Sequence, residues 1–317
     1  MQYFLRKTIL PLIPITILLL TLSACSGFKQ GVYEKAMGFE RREAGLEEKT
    51  LLVDAFRVAV LEGKGKGERP TLVLVHGFGA SKEVWLRFSR HLKDDFHIVA
   101  IDLPGHGDSS KPMDKDYGIS SQMGYLRAIL AEIGADRPHL AGNSMGGAII
   151  TLYAARFPEE IGSITLFNPG GVYVYESELM QCLARGENPL IVKEHGDFDR
   201  LIDFSMEKKP FLPWPIASVM AEKAVANRSI NDKMFSDTRR DARNDFGEVL
   251  ASVKVPALII WGRHDRVINA ENGRIFEERI PDSRLVILED VGHAPMIETP
   301  QVSAQLMEEF VVSIRKP

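Results

Sequence analysis

The sequence is poor in cysteine and has no long run of basic residues. Its 317 residues contain 2 cysteines, too few for a disulfide-stapled scaffold, and a chain of this length can bury a core without one. The formal net charge is −4, so nucleic acid is not an expected partner. Neither internal repeats nor low-complexity tracts occur. With 45% hydrophobic and 26% charged residues, the composition is globular and excludes disordered, collagen-like and polytopic membrane proteins.

The N-terminal segment lacks acidic side chains and differs from the rest of the chain. Residues 1–24 contain no Asp or Glu, and Arg6 and Lys7 precede an apolar run from Thr8 to Leu22. This is the layout of a secretory signal peptide. The run is shorter than the about 20 residues that span a bilayer, and two prolines interrupt it. We therefore expect an export signal over 1–24 rather than a retained transmembrane anchor.

The end of this segment resembles a bacterial lipobox, Leu22-Ser23-Ala24-Cys25. In that class of signals the cysteine is acylated and becomes the first residue of the mature chain. The resemblance implies a lipid anchor on Cys25 and attachment to a membrane of the cell envelope. By analogy with Gram-negative lipoproteins, Ser26 favours the outer membrane. Cleavage after Ser23 also satisfies the small-residue rule, so secretion without a lipid is the alternative.

The remaining sequence alternates short apolar runs with segments of helical period. The charged stretch 25–50 is expected to be a tether that leads into a catalytic domain over 51–317. Predicted strands lie at Leu51–Val53, Phe56–Val60, Thr71–Val75, Ile98–Ile101, Pro138–Ala141, Ile164–Phe167, Ala257–Trp261 and Leu285–Leu288. Predicted helices lie at Lys82–Leu92, Ser120–Ile133, Met145–Phe157, Ala270–Arg279 and Gln301–Ile314. This alternation is typical of an α/β protein with a mostly parallel, doubly wound sheet.

One interval interrupts the alternation of strands and helices. Between Gly171 and Pro256 the sequence has no comparable strand and is rich in helix formers and large apolar side chains. We expect a helical cap inserted at about 172–250. Its aromatic residues are candidates to line an apolar substrate site, although for any one of them packing against the sheet is the simpler interpretation: Phe204, Phe211, Trp214 and Phe235.

A serine stands in the motif Gly142-Asn143-Ser144-Met145-Gly146. The motif fits G-x-S-x-G, follows a predicted strand and opens a predicted helix, the context of a nucleophile elbow. Such a turn is so sharp that side chains at 142 and 146 would collide with neighbouring atoms, which explains the two glycines. Ser144 is therefore the candidate nucleophile, and it needs a base.

The base and the acid are predicted from loops at the carboxyl edge of the sheet. His293 follows the last predicted strand, and Asp265 follows the strand before it. The order Ser144, Asp265, His293 is that of α/β-hydrolases. Asp290 is a rival acid, although it leaves the same strand as the histidine. His76, beside glycines at a strand end, more simply holds its loop by a hydrogen bond.

Two backbone amides are expected to stabilise the oxyanion of the reaction. One is the amide of Met145, directly after the nucleophile, and the other is the amide of Phe78 in His76-Gly77-Phe78-Gly79. Asp102 and His106 follow another strand, but no further carboxylate or histidine cluster accompanies them, so a shaped turn is favoured over a metal site. No metal and no cofactor are predicted.

These motifs together resemble the α/β-hydrolase superfamily over residues 70–317. Within it the chain is similar to bacterial family V lipases of the Moraxella and Psychrobacter type, and to monoacylglycerol lipases. The resemblance implies an α/β-hydrolase fold, the triad Ser144, Asp265 and His293, and an oxyanion hole at Phe78 and Met145. It also implies a lipase or esterase that cleaves fatty-acyl or acylglycerol esters through an acyl-enzyme intermediate.

Two alternatives differ in function. Carbon–carbon bond hydrolases of ring-cleavage products have similar elbows, but they typically carry Trp after the catalytic histidine, where this chain has Ala294, and they are cytosolic. A non-catalytic envelope lipoprotein that only binds a ligand would not need all three groups of a triad. The sequence gives no oligomeric state.

Overall fold

Eight strands rich in Val, Ile and Leu form one sheet in the computed structural model, which describes residues 13–65, 67–241 and 246–315, with side chains from residue 27 to residue 314. Residues 1–12 of the predicted signal peptide and the side chain of Cys25 lie outside this description. The strands are β1 Glu47–Val53, β2 Phe56–Gly63, β3 Thr71–Val75, β4 His97–Ile101, β5 His139–Asn143, β6 Ser163–Phe167, β7 Ala257–Gly262 and β8 Ser283–Leu288.

The strand order is β1-β2-β4-β3-β5-β6-β7-β8. The β1–β2 and β2–β4 pairs are antiparallel, whereas every pair from β4 to β8 is parallel. Strands β5, β6 and β7 are buried along their whole length, as expected where helices cover both faces of a parallel sheet. The predicted fold class, an α/β-hydrolase fold, is confirmed.

Twelve helices accompany the sheet in the part of the chain that the structure describes. They are α1 Ile13–Ala44, α2 Leu86–Ser89, α3 Ile119–Ile133, α4 Met145–Arg156, α5 Glu178–Ala184, α6 His195–Ser205, α7 Ile216–Ala226, α8 Arg228–Asp241, α9 Phe246–Ala251, α10 Asn272–Arg279, α11 Pro295–Glu298 and α12 Pro300–Arg315. Short 3-10 turns lie at Lys82–Trp85 and Pro158–Glu160. Helices α5 to α9 all lie between β6 and β7, in the interval predicted to be a cap.

The register of the parallel strands aligns the carboxyl ends of β3, β5, β6 and β7. Gly142 pairs with Val75 across β5 and β3, and Asn143 pairs with Phe167 across β5 and β6. Phe167 in turn pairs with Ile260 of β7. Residues that follow these strands therefore share one carboxyl edge of the sheet, where α/β proteins bind ligands.

The segment predicted to be a tether, 25–50, is instead helical up to Ala44 and then enters β1. Tyr33 and Ala44 are buried. Arg41 donates from Nε to Glu83 Oε1 over 3.1 Å, so the charged residues of this segment have partners on the fold. Among the described residues, no helix combines the length and apolarity needed to cross a membrane.

The helix predicted over 82–92 is also different in the structure. A 3-10 turn at Lys82–Trp85 leads into the single α-turn of α2, and the chain then continues in turns to β4. Lys82 is completely buried and its backbone N–H donates to the Asp102 carboxylate over 2.7 Å. This anchor fixes where the turn begins, which sequence periodicity does not reveal.

Candidate active site

Ser144 occupies a strained turn between β5 and α4. Its φ of 54° and ψ of −116° lie in a region that L residues rarely adopt. The turn is held by the Ser144 N–H, which donates to the Phe167 carbonyl over 2.9 Å. A Cβ on Gly142 would lie 2.6 Å from the Gly146 carbonyl oxygen, and a Cβ on Gly146 would lie 2.5 Å from the His76 carbonyl oxygen. Both predicted elbow glycines therefore occupy positions where only glycine fits.

The side chains of Asp265 and His293 are in direct contact. His293 Nδ1 lies 2.8 Å from Asp265 Oδ2, and the Asp265 side chain is fully buried. Asp265 Oδ1 accepts from the backbone amides of Val267 and Ile268, over 2.8 and 3.0 Å. An ionised carboxylate only accepts hydrogen bonds, so the proton of a neutral His293 lies on Nδ1 and its Nε2 has a free lone pair.

Two further side chains donate to the same carboxylate oxygen. Asn168 Nδ2 lies 2.7 Å from Asp265 Oδ2, and Trp261 Nε1 lies 3.2 Å from it. Asn168 Nδ2 also lies 3.2 Å from the Gly292 carbonyl, next to the histidine. Sequence reasoning missed both residues. Asn168 directly follows β6 at the carboxyl edge of the sheet. Asp265 is predicted because it follows a strand at the same edge, so the same reasoning could have identified Asn168.

Asn143 joins the serine turn to the histidine loop. Its Nδ2 donates to the Phe167 carbonyl over 3.1 Å and to the His293 carbonyl over 3.0 Å. Asn143 is the variable position of the elbow motif, which gives no cue to such a role. Through it, the backbone beside Ser144 and the backbone of His293 have a fixed relative position.

The glycine-rich loop after β3 lies against the serine. A Cβ on Gly77 would lie 3.0 Å from Asn143 Oδ1 and 3.1 Å from the Ser144 Cβ, so a side chain at this position would crowd the serine turn. Phe78 directly follows it. Met145 is the first residue of α4, and the N–H groups of a first helical turn have no acceptor within the helix. The two residues predicted to form the oxyanion hole thus lie near Ser144, Phe78 in the loop after β3 and Met145 at the start of α4.

The buried His76 side chain connects this loop to the segment after β4. Its Nε2 accepts from the Leu103 amide over 3.1 Å, so Nδ1 carries the proton and donates to the Gly77 carbonyl over 2.7 Å. The His106 ring lies with its centroid 4.8 Å from that of His76. Burial lowers the pKa of His76 and lowers the pKa of His106 further, the proximity of His76 adding to the latter. Both rings are neutral supports of the loop.

Asp290 and two of the aromatic residues of the predicted cap are exposed, whereas a third aromatic residue contacts Phe78. Asp290 is exposed, and the carboxylate on His293 Nδ1 belongs to Asp265. Phe235 of α8 makes an edge contact with Phe78, with ring centroids 5.5 Å apart, so α8 reaches the loop that carries Phe78. Phe211 and Trp214, by contrast, face solvent with 82% and 68% of their surface exposed.

One group of carboxylates within the described ranges has the spacing of metal ligands, Glu48, Glu83 and Asp108. The Lys82 ammonium lies among them, 2.6 Å from Asp108, 3.5 Å from Glu83 and 3.8 Å from Glu48. Three acidic groups around a buried ammonium form an ion-pair network, and the cation that they surround is Lys82.

Comparison with known proteins identifies relatives over most of the chain. A family model described as the alpha/beta hydrolase fold matches residues 70–300. Lipase 1 of Psychrobacter immobilis is 33% identical over 279 residues, which cover 87% of this chain and 88% of that protein. Monoacylglycerol lipase ABHD6 of Rattus norvegicus is 27% identical over 262 residues, which cover 79% of this chain and 78% of that protein.

A solved structure is also similar over nearly the whole length. The crystal structure of a membrane phospholipase A, described as a novel bacterial virulence factor, superposes with a TM-score of 0.89 at 39% identity. The match covers 96% of this chain and 99% of that one. The predicted resemblance to bacterial lipases and to monoacylglycerol lipases is confirmed.

Proposed function

The chain belongs to the α/β-hydrolase family, and from that premise we propose that it cleaves fatty-acyl esters through a serine nucleophile, Ser144, and an acyl-enzyme intermediate. It is a carboxylic ester hydrolase. The observation that carries the serine mechanism is the 2.8 Å contact between His293 Nδ1 and the fully buried Asp265 carboxylate. Asn143 connects this histidine to the serine turn, because its Nδ2 donates to the His293 carbonyl.

In the first half of the reaction, His293 Nε2 removes the hydroxyl proton while Ser144 Oγ attacks the acyl carbonyl carbon. Asp265 stabilises the imidazolium that forms. The amides of Phe78 and Met145 donate to the oxyanion of the tetrahedral intermediate. When the intermediate collapses, the C–O bond to the alcohol breaks and the imidazolium returns its proton to the leaving oxygen, so that the acyl group remains on Ser144.

In the second half, water replaces the alcohol. His293 Nε2 takes a proton from the water as its oxygen attacks the acyl carbon, and the same two amides stabilise the second oxyanion. Collapse breaks the bond to Ser144 Oγ, which recovers its proton from the imidazolium. The products are a carboxylic acid and the free enzyme.

A lipid acyl chain is the substrate that the surroundings favour. Phe78 packs beside a small apolar cluster of Tyr117, Ile230 and Met234, and α8 brings two of these from the cap. The related proteins carry the names lipase, monoacylglycerol lipase and membrane phospholipase A, all of which act on acyl esters of lipids. We therefore propose acylglycerols or related lipid esters as substrates.

A chain-length series of p-nitrophenyl esters, with an emulsified triacylglycerol beside it, tests the substrate class. Turnover of C10–C18 esters and of the emulsion is expected, whereas turnover of C4 alone would make the protein an esterase. The Ser144→Ala variant is the matched blank. Turnover of a vinylogous diketone without any ester turnover would instead indicate carbon–carbon hydrolysis, and no turnover at all would indicate a binding lipoprotein.

We also propose that the protein is exported and held on the cell envelope, in the outer membrane, by a lipid on Cys25. The lipobox sequence supports this proposal. Two acyl chains or more hold a protein stably on a bilayer, whereas one does not. Growth with radiolabelled palmitate is expected to label the wild type, and the Cys25→Ala variant is the control. Equal labelling of both would contradict the anchor.

A further inference from the structure

Three aromatic side chains from two adjoining segments are exposed. Phe211 and Trp214, in the connection between α6 and α7, are 82% and 68% exposed, and Phe28 of α1 is 60% exposed. The Phe28 and Trp214 rings lie with centroids 6.4 Å apart. We call Phe28, Phe211 and Trp214 the aromatic surface. Side chains of this size are rarely exposed together unless they meet an apolar partner.

The two segments that carry the aromatic surface are fixed to each other. Lys29, next to Phe28, donates from Nζ to Ser218 Oγ and to Glu222 Oε1 of α7, both over 3.1 Å. Lys223 of α7 places its Nζ 4.3 Å from the centre of the buried Tyr33 ring of α1. The aromatic surface is therefore a built feature, held by α1 and the cap together.

The base of the same connection is attached to the loop of the catalytic histidine. The His293 amide donates to the Ser205 carbonyl over 2.7 Å. The amides of Glu207 and Lys208 both donate to Glu298 Oε2 over 2.9 Å. The segment that leads to Phe211 and Trp214 is therefore hydrogen-bonded to the loop that carries His293.

We propose that the aromatic surface docks on a lipid bilayer. Helix α1 includes Cys25 and continues without a break through Phe28. Cys25 precedes Phe28 by three residues, about 5 Å along a helix axis. A chain attached to the bilayer at that point brings Phe28, and with it Trp214, to the lipid headgroups. This step rests on the proposed membrane anchor and goes beyond it.

The chemistry of the aromatic surface suits the interfacial layer of a bilayer. Trp favours that layer because its ring is apolar and its N–H is polar. Two exposed lysines, Lys208 and Lys209, precede Phe211. Lys209 pairs with Asp203, and Lys208 can face anionic headgroups. A bilayer at this position would place the lipid substrate beside the loop that carries His293. A second copy of the chain is the competing occupant.

Trp214 allows a direct test, because the other two tryptophans, Trp85 and Trp261, are 0% exposed. The full-length Ser144→Ala protein, which cannot consume lipid, is reconstituted in vesicles of phosphatidylcholine and phosphatidylglycerol with brominated acyl chains. We expect bromine quenching of Trp214 emission and loss of quenching by aqueous iodide. The Trp214→Phe variant is expected to lose the bromine-quenched emission. If bromine does not quench Trp214 and iodide still does, Trp214 is in water and the proposal is overturned. If neither bromine nor iodide quenches Trp214, a protein contact covers it, which also overturns the proposal.

A second variant keeps the proposal testable by activity. Phe211→Ser is expected to lower turnover of a vesicle-embedded acyl ester while turnover of a soluble short-chain ester is unchanged. Leu52→Ser is the matched control, because Leu52 is an apolar residue of the edge strand β1 that is 76% exposed. It should change the turnover of neither ester. Equal vesicle turnover by wild type and Phe211→Ser would contradict docking. Absence of all ester turnover would contradict the proposed function alone, and the fluorescence result would still decide the docking.

Discussion

The carboxylate of Asp265 illustrates how much of the site depends on single residues that surround the triad. It accepts from His293, from two backbone amides, and from Asn168 and Trp261. Hydrogen bonds to a buried charge are stronger than neutral ones and costly to remove. The orientation of the His293 side chain therefore depends on residues that bond to Asp265.

Asn168→Ala is expected to lower kcat about ten- to a hundredfold with little change in KM, because it removes a charge-assisted hydrogen bond worth about 1.5–3 kcal/mol. Steady-state kinetics on a soluble ester measures this. Asn188→Ala is the control, since that side chain accepts from the Leu190 amide in its own turn. A wild-type kcat for Asn168→Ala would show that Asn168 does not position the acid.

The glycines of the elbow make a second prediction at this scale. Gly146→Ala would force a Cβ to 2.5 Å from the His76 carbonyl and is expected to destabilise the fold by about 3 kcal/mol or more. Gly124→Ala, in α3, would place its Cβ in open space beside the helix's own backbone and is expected to stabilise the fold by about 0.5–1 kcal/mol. Urea unfolding compares the two, and equal effects would refute the steric account.

Motif and context in the sequence predict Ser144, Asp265, His293 and the two elbow glycines. The contact of Asp265 with His293 and the glycine contacts agree with that prediction. Asn143 and Asn168 were not predicted, because amide side chains at strand ends are common and only the register of β5 and β6 shows which carbonyls they reach.

Among the elements, the turn after β3 depends on a buried ion pair. Lys82 and Asp102 are both 0% exposed, with Nζ 2.9 Å from Oδ2, and Asp102 also accepts from the Asp108 amide over 2.8 Å. Desolvation opposes the ammonium, but Asp102 and its acidic neighbours raise the pKa of Lys82. The pair joins the start of the 3-10 turn to the end of β4.

Lys82→Met is expected to cost about 3–5 kcal/mol of unfolding free energy, because it leaves the Asp102 charge buried without its cation. Lys93→Met is the control, since Lys93 Nζ donates to the carbonyl of exposed Glu43 over 2.8 Å. This substitution should cost under about 1 kcal/mol. Chemical denaturation measures both. A loss for Lys82→Met no greater than that of the control would show that the pair does not stabilise the turn.

Strands were easier to predict than the N-terminal helix. A strand buried on both faces is a short run of Val, Ile and Leu, and all eight predicted strands exist. Helix α1 carries many charged residues, and sequence alone does not show that Arg41 pairs with Glu83 or that Tyr33 is buried under Lys223. Tertiary partners, absent from any local pattern, convert this stretch from a tether into part of the fold.

The whole molecule should lose stability in mild acid. Burial lowers the pKa of His76 and His106 in the folded state, so below about pH 6.5 the unfolded chain binds protons that the folded chain does not. Stability is complete above the unfolded value and falls as the pH drops, by up to about 1.4 kcal/mol per pH unit for each histidine.

Urea unfolding between pH 7.5 and 5 is the measurement. His106→Asn, whose amide can keep the donor to the Pro104 carbonyl, is expected to have a shallower pH dependence than the wild type. His91→Gln is the control, because His91 is exposed. If His106→Asn and the wild type have the same slope, His106 is not the source of the acid sensitivity.

The account of the molecule as a serine ester hydrolase is tested most directly by the kcat/KM of Ser144→Ala on a soluble p-nitrophenyl ester. Removal of the nucleophile is expected to lower kcat/KM by about 10⁴-fold or more while the unfolding midpoint stays within a few degrees of the wild type. A folded Ser144→Ala protein with kcat/KM within about tenfold of the wild type would contradict the assignment of Ser144 as nucleophile.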